Sequence, residues 1–394
     1  MIAIGIILLV AALHPFVTYP LSLVVWRWLR PTPSRPGPPS TPAVSILCCA
    51  RNEESVIAAK ARNCLEMASG YEGRAEVLFY LDACSDRTRD ALAPFKDRLT
   101  IIEGAEPAGK SQGMARLVEA ASGEIIVFTD ANTMAAPDAL TAFADGFRDP
   151  DVGCVCSYLT ITNDAESETA HVNGLYWRLE ESIRLLETQT GSSLTADGAL
   201  FAIRRSLYVP TPPDIIDDMH TSMNVLLSGA RMVASRTVLA QERTASDRCD
   251  EFSRKIRIAC RAFNCYRLLA PRLHRAGPEV IYKFYSHKVL RWLSFALAAM
   301  GASALLAGVA LHGWLDYGLW VAGAGFSILA LGALGLKPFS QVWEVFLAHV
   351  AVTLGVMQSL RGKRYQVWTP FVSARAPSQR VPRASATVVQ MPRT

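Results

Sequence analysis

Asp130 and Asn132 stand two residues apart in Thr129-Asp-Ala-Asn-Thr133, at the end of the apolar run Ile125-Ile-Val-Phe-Thr. Both side chains offer hard oxygen atoms of the kind that hold a divalent cation. A Mg²⁺ or Mn²⁺ held there and gripping phosphate oxygens would neutralise charge developing on a departing diphosphate. Two further polar clusters follow apolar runs in the same way: Arg51-Asn52-Glu53-Glu54 and Asp82-Ala-Cys-Ser-Asp86-Arg-Thr88. Asp82 could accept hydrogen bonds from a base or ribose, while Ser85 and Thr88 are candidate caps for the next helix. Together the clusters point to the handling of a nucleotide diphosphate. Gly109-Lys110 lacks the G-x-x-x-x-G-K-[ST] frame of a P-loop, which argues against an ATPase.

Elements of an alternating kind must position these clusters. Ala43 to Ala50, Glu76 to Leu81, Leu99 to Glu103 and Ile125 to Thr129 are short and rich in β-branched and aromatic residues, which predicts buried strands. Helix-compatible stretches run to about Met67, from Arg87 to Asp97 and onward from Lys110. Strands alternating with helices imply a mostly parallel, Rossmann-like α/β sheet with right-handed crossovers. The clusters beginning at Arg51, Asp82 and Asp130 then gather along the carboxyl edge, where ligands bind in open α/β sheets. A single acidic residue at a strand end often only caps a helix; three clusters in register are harder to explain that way.

The chain has 394 residues, 51% hydrophobic and 19% charged, with a mean hydropathy of +0.20. The apolar excess is concentrated in residues 1–28 and in stretches near Leu293 to Leu311, Leu315 to Leu336 and Val342 to Leu360. Each is close to the ~20 residues that cross a bilayer. Residues 1–28 have no basic residue before the apolar run and no clear A-x-A site, so they read as an uncleaved anchor rather than a signal peptide. Prolines at 31, 33, 36, 38, 39 and 42 make 29–42 an extended linker. Residues 43–270 have the composition of one soluble domain, and 271–360 form an interfacial and C-terminal transmembrane region ahead of a basic, flexible tail at 361–394.

Arg27, Arg30 and Arg35 place the soluble domain in the cytoplasm by the positive-inside tendency, giving a multi-pass protein of the inner or plasma membrane. The tail, with Arg361, Lys363 and Arg364, prefers the same side, whereas three full spans would put it opposite. The last apolar segment carries Glu344 and His349 and is the weakest of the three. Nine cysteines without a paired C-x-x-C arrangement point to reduced thiols rather than a zinc site or disulfide framework. The net charge of +5 borders the membrane segments and suggests anionic lipid heads, not nucleic acid.

The ordered set A-R-N-E-E, D-x-C-S-D-x-T, G-K and T-D-A-N resembles the inverting family 2 glycosyltransferases with the GT-A fold, of the exopolysaccharide and cell-envelope type. The resemblance continues through Tyr176-Trp-Arg-Leu-Glu180, the glycine turn Ala196-Asp197-Gly198-Ala199 and the acidic pair Asp217-Asp218, covering about residues 44 to 270. It implies a nucleotide-sugar donor, a UDP-sugar foremost, and a lipid-linked or glycan acceptor at the membrane. By position, Glu53 and Asp82 would contact the nucleoside, with Arg51 and Lys110 also on the donor side. Asp130 and Asn132 would hold the metal where the family has its D-x-D motif. Asp218 would be the general base, with Asp217 raising its pKa or capping the next helix.

Two departures stand out. Asn132 replaces an aspartate, removing a charge from the metal site. The Q-x-x-R-W motif of processive synthases is also missing; Arg254, Arg257 and Arg261 occupy one helix face instead. Those arginines read either as a clamp on the donor diphosphate or as a stripe for lipid phosphates. A processive polysaccharide synthase remains an alternative, as do a sugar nucleotidyltransferase and a degenerate domain that binds nucleotide sugars without turnover. His220 reads as a second proton carrier or as packing, and Trp177 and Tyr176 as acceptor stacking or core.

Overall fold

The computed structural model describes residues 1–30, 32 and 35–366, so most of the tail expected to be basic and flexible lies outside the described residues. The chain opens with two helices, α1 (Ile2–Leu13) and α2 (Thr18–Leu29), bent by 66° at the intervening break. Taken together, the two helices are apolar enough to form one broken membrane span or a re-entrant pair. Pro15 lacks a backbone N–H and crowds the preceding turn, which ends α1 there. At about 1.5 Å per residue, neither 12-residue helix alone reaches across the hydrocarbon layer.

The α/β unit holds one eight-stranded sheet. Its strands are β1 (Val44–Ala50), β2 (Ala75–Asp82), β3 (Thr100–Gly104), β4 (Ile125–Thr129), β5 (Met134–Ala135), β6 (Val152–Ile161), β7 (Leu200–Arg204) and β8 (Arg231–Glu242), in the order β3-β2-β1-β4-β7-β6-β8-β5. The run β3-β2-β1-β4 is parallel, as the alternating pattern predicts. Beyond it the sheet is mixed, because β7 runs antiparallel to both β4 and β6. Every residue of β1 and β4 is buried, as expected for strands covered on both faces.

Helices α3 (Ile57–Ser69), α4 (Thr88–Leu92), α5 (Lys110–Ala120) and α6 (Ala139–Gly146) connect the first strands, and α3 and α6 share a core with them. That core includes Ile46, Phe79, Ile57, Cys64, Phe143 and Val127. Burying a side chain of this size contributes about 1.5–3 kcal/mol. An exposed ion pair such as Arg89–Glu103 contributes about 0.2–1 kcal/mol, so packing rather than surface charge fixes the strand positions.

Register decides where the polar clusters meet. Ala50 pairs with Leu81, and Cys48 with Thr129, so the carboxyl ends of β1, β2 and β4 share one edge. Since β7 is antiparallel, its first residue, Leu200, pairs with Thr129 and brings the preceding Gly198 turn to that same edge. Helix α7 (Glu168–Gln189) precedes that turn, and α8 (Asp217–Leu227) follows β7.

The second unit is helical: Met1–Arg30, Asp164–Asn173 and Ser246–Arg364. It contains α9 (Arg248–Leu273), which sequence reading placed within the α/β domain. Helix α10 (Pro278–Phe284) continues through a π turn at Tyr285–Val289 into α11 (Leu290–Leu311), followed by α12 (Leu315–Ala333) and α13 (Phe339–Leu360). The helix spanning Pro278–Leu311, together with α12 and α13, gives three helices long and apolar enough to cross a membrane. Small residues allow close contact: a Cβ on Gly5 would fall 2.9 Å from the Gly301 carbonyl, and one on Gly355 would fall 2.5 Å from that of Ile256. Glu344, the charge that weakens the last apolar segment, is buried against protein, where it accepts from Arg248 at 2.6 Å and Thr169 at 3.1 Å.

Candidate active site

The Arg51 and Asp82 clusters interlock through main-chain bonds. Asn52 Oδ1 accepts from Ser85 N at 2.9 Å, Thr88 Oγ1 accepts from Glu53 N at 2.8 Å, and Glu54 accepts from Arg87 N at 2.9 Å. Neither Ser85 nor Thr88 caps α4; Asp86 accepts from the Thr88 N–H instead, at 3.0 Å. Asn52 and Ala83 take positive φ values of 53° and 46°. For alanine this left-handed backbone costs about 1–2 kcal/mol, strain of the kind that collects at functional sites.

Asp82 closes β2 with a fully buried carboxylate. It accepts from Ala108 N at 2.8 Å, Gly109 N at 3.2 Å and Arg51 Nη1 at 3.3 Å. The chain itself therefore occupies the acceptors that sequence reading assigned to a base or ribose. What Asp82 does is hang the loop before α5 from the end of β2. Gly109, at φ +88°, turns that loop so that Lys110 opens α5.

Lys110 then joins three parts of the edge. Its ammonium lies 2.7 Å from Asp130 Oδ1, just after β4, and 2.9 Å from Asp217 Oδ2, at the start of α8. A Cβ placed on Gly198 would sit 3.3 Å from both Lys110 Nζ and Asp218 Oδ2, and 3.5 Å from Asp130 Oδ2. Three side chains, from α5, from the turn after β4 and from α8, thus converge on the point that glycine leaves open. Burial works against the Lys110 ammonium, but Asp130 and Asp217 outweigh it and hold its pKa well above the usual lysine value. Burial first, and then the charge of Asp217, push the Asp218 carboxyl up to about 7 against the pull of Lys110. A carboxylate at that value suits proton abstraction near neutral pH.

Among the described residues no three His, Cys, Asp or Glu side chains form a metal-binding group by themselves. Asp130 is about a third exposed, and Asn132 is buried with Nδ2 donating to Glu242 Oε1 at 2.9 Å. One carboxylate and one amide fit a Mg²⁺ or Mn²⁺ that draws its other ligands from phosphate and water, the usual habit of Mg²⁺.

The description "Glycosyl transferase family 2" matches a stretch that stops short of Asp217 and Asp218: residues 45–209, which carry the ends of β1, β2 and β4 and the Gly198 turn. Those residues form a family 2 glycosyltransferase domain. An N-acetylglucosaminyltransferase of Neorhizobium galegae is 24% identical over 213 residues, covering 49% of this chain and 48% of that protein. The chain therefore spans about half the length of that relative. A beta-monoglucosyldiacylglycerol synthase of Trichormus variabilis is 35% identical over 133 residues, 32% of this chain and 28% of the synthase. The fold is GT-A, as expected. It resembles the mannosyltransferase PcManGT from Pyrobaculum calidifontis, solved with GDP-Man and Mn²⁺, with a TM-score of 0.69 and 24% identity over 92% of this chain and 99% of that one.

Within the α/β unit some residues escaped sequence reading. Lys60, from α3, is fully buried and donates to Thr129 Oγ1 at 2.8 Å and Thr133 O at 2.6 Å, bracing the turn that carries Asp130. Its signal was a lone lysine among the apolar positions Ile57, Ala61 and Cys64. Glu242, ending β8, orients Asn132. Arg184 joins Glu181 and Asp197 beneath the Gly198 turn, where burial raises the Glu181 carboxyl to about 7 despite the arginine.

Other expectations resolve plainly. Ring nitrogens of His220 meet Thr211 and Asn224 in the interior, in keeping with packing. Trp177 packs against the core, while Tyr176 is exposed. Glu53 is buried beside Arg51 in sequence. Arg257 and Arg261 lie on α9 in the helical unit, where Arg254 pairs with Glu251 at 3.0 Å and Arg261 is buried.

Proposed function

We propose that the chain is a membrane-anchored glycosyltransferase that moves a sugar, with inversion, from a nucleotide-sugar donor to a lipid-linked or glycan acceptor in polysaccharide or glycolipid assembly. The observation that carries this reading is the Lys110 ammonium, bonded at once to Asp130 on the donor side and Asp217 on the acceptor side, with Asp218 beside the Gly198 gap. The names of the relatives support a sugar transferase acting on glycans or glycolipids. A UDP-sugar is the first donor to test; the GDP-Man bound to PcManGT makes GDP-sugars the next.

Asp218 takes the acceptor hydroxyl's proton as that oxygen bonds to the anomeric carbon. The bond from that carbon to the diphosphate oxygen breaks on the opposite face, which inverts the centre. Lys110 offsets the charge left on the nucleoside diphosphate. A Mg²⁺ or Mn²⁺ held by Asp130 and Asn132 supplies further neutralisation there when bound. On the nucleoside side Asp82 works by fixing Arg51 and the Gly109 loop, with Glu53 beside them. Three apolar helices and the arginines at 27, 30 and 35 support a multi-pass protein with this domain in the cytoplasm.

Nucleotide release by the detergent-purified protein, across UDP-, GDP- and dTDP-sugars with Mn²⁺ or Mg²⁺ and a membrane lipid extract, tests the reading. We expect metal-dependent release from one donor, falling at least about 10²-fold in Asp218→Asn. Donor binding without turnover would leave a degenerate binding domain in its place.

A further inference from the structure

Arg184 is almost completely buried, yet it carries a full charge between two carboxylates, Glu181 Oε1 at 2.8 Å and Asp197 Oδ2 at 2.7 Å. Buried ion clusters of this kind are poor devices for stability, since apolar side chains of similar volume often serve as well or better. The bonds around it suggest another purpose. On one side Glu181 Oε1 accepts from Leu159 N at 3.3 Å, which anchors the cluster to β6. On the other, Asp197 Oδ1 accepts from Ala199 N at 3.0 Å and so closes the Gly198 turn.

That turn is bonded to both halves of the site. Ala199 O accepts from Asp130 N at 3.1 Å and from Thr129 Oγ1 at 3.0 Å. Ala196 N donates to Ser222 Oγ at 3.1 Å, and the same hydroxyl donates to the Asp218 carbonyl at 2.7 Å. An unbroken path therefore runs from β6 through Glu181, Arg184 and Asp197 to the backbones of Asp130 and Asp218.

We infer that Arg184 is a positioning residue for sugar transfer: by holding Asp197 it fixes the Gly198 turn and with it the spacing between Asp130 and Asp218. Its effect on transfer rests on the function proposed above, whereas its hold on the turn does not. The arginine touches no reacting atom. Its work is alignment, in which errors near 1 Å cost about 10²-fold in rate.

The test compares wild type, Arg184→Lys and Asp197→Asn. The asparagine keeps an acceptor for Ala199 N but loses the charged contact to Arg184, and it serves if the arginine variant does not fold. Hydrogen exchange is read at the amides of Asp130 and Ala199 and at those of β1 and β2, without substrate. We expect exchange at the first pair to rise at least about tenfold with the strands unchanged, and kcat to fall roughly 10²-fold while the donor KM stays within about threefold. Unchanged exchange at Asp130 and Ala199, or equal acceleration throughout the sheet, overturns the inference. So does a kcat equal to wild type in a well-folded variant. Absence of turnover in wild type would overturn the proposed function alone, and the exchange pattern would still decide the role of Arg184 in the turn.

Discussion

The Lys110 ammonium lies 2.7 Å from Asp130 Oδ1, which joins the first turn of α5 to the end of β4 by one charge-assisted bond. A second bond from the same ammonium, 2.9 Å to Asp217, extends the tie to α8. A single cation thus bridges carboxylates that would otherwise repel one another across the proposed donor and acceptor halves.

Replacing that cation should therefore damage both halves. Lys110→Met is expected to lower kcat for nucleotide release by about 10²–10³-fold, the scale for losing one preorganised donor at a developing oxyanion. Lys110→Arg should recover little, because a planar guanidinium cannot take the position of a compact ammonium between two carboxylates. Near-wild-type release by Lys110→Met would remove the lysine from the mechanism.

The raised Asp218 pKa predicts a pH profile. The base must be ionised to accept a proton, so kcat/KM should rise with pH on the acid side and level off above about 7. The charge of Asp217 disfavours ionisation of Asp218, so Asp217→Asn should move the limb to lower pH. Lys110 favours ionisation, so Lys110→Met should move it to higher pH. Rate–pH curves for the three proteins check the signs, and a limb that stays fixed in both variants would assign it to some other group.

Lys60 offers a separate test of how the proposed metal side is held. Lys60→Met keeps the stem but leaves Thr133 O without its 2.6 Å donor, and an orphaned buried acceptor costs about 1–3 kcal/mol. Thermal unfolding should show that loss. Mn²⁺ titration in the presence of nucleoside diphosphate should show weaker binding as the Asp130 turn loosens, and unchanged Mn²⁺ affinity would mean that the brace serves stability only.

The first half of the fold was readable because its strands are buried on both faces and appear as short apolar runs between turns. Val44–Ala50, Ala75–Asp82 and Ile125–Thr129 fall almost where their composition puts them, and their parallel register assembles the three polar clusters. Direction was not readable for β7, since an apolar run looks the same whether it pairs parallel or antiparallel. Lys60, Glu242 and Arg184 were missed for a related reason. A single charged residue on a helix or at a strand end resembles a solvated one until tertiary packing buries it. Asp82 shows the converse: its position was legible, but the backbone donors that occupy it belong to a loop 26 and 27 residues further along.

The Gly198 gap supplies the sharpest steric prediction. This glycine is not among those with positive φ, so its backbone can carry a side chain without strain. A Cβ there would nevertheless meet Lys110 Nζ and Asp218 Oδ2 at 3.3 Å, and Asp130 Oδ2 at 3.5 Å. The two nearest neighbours would have to yield by a few tenths of an ångström while held by the bonds described above. Gly198→Ala should therefore fold with a melting temperature close to wild type and bind nucleoside diphosphate. Its kcat should fall by about 10²-fold, the penalty for small misplacements of reacting groups. If instead kcat is retained and only stability drops, the gap is a packing feature and the reacting atoms meet elsewhere.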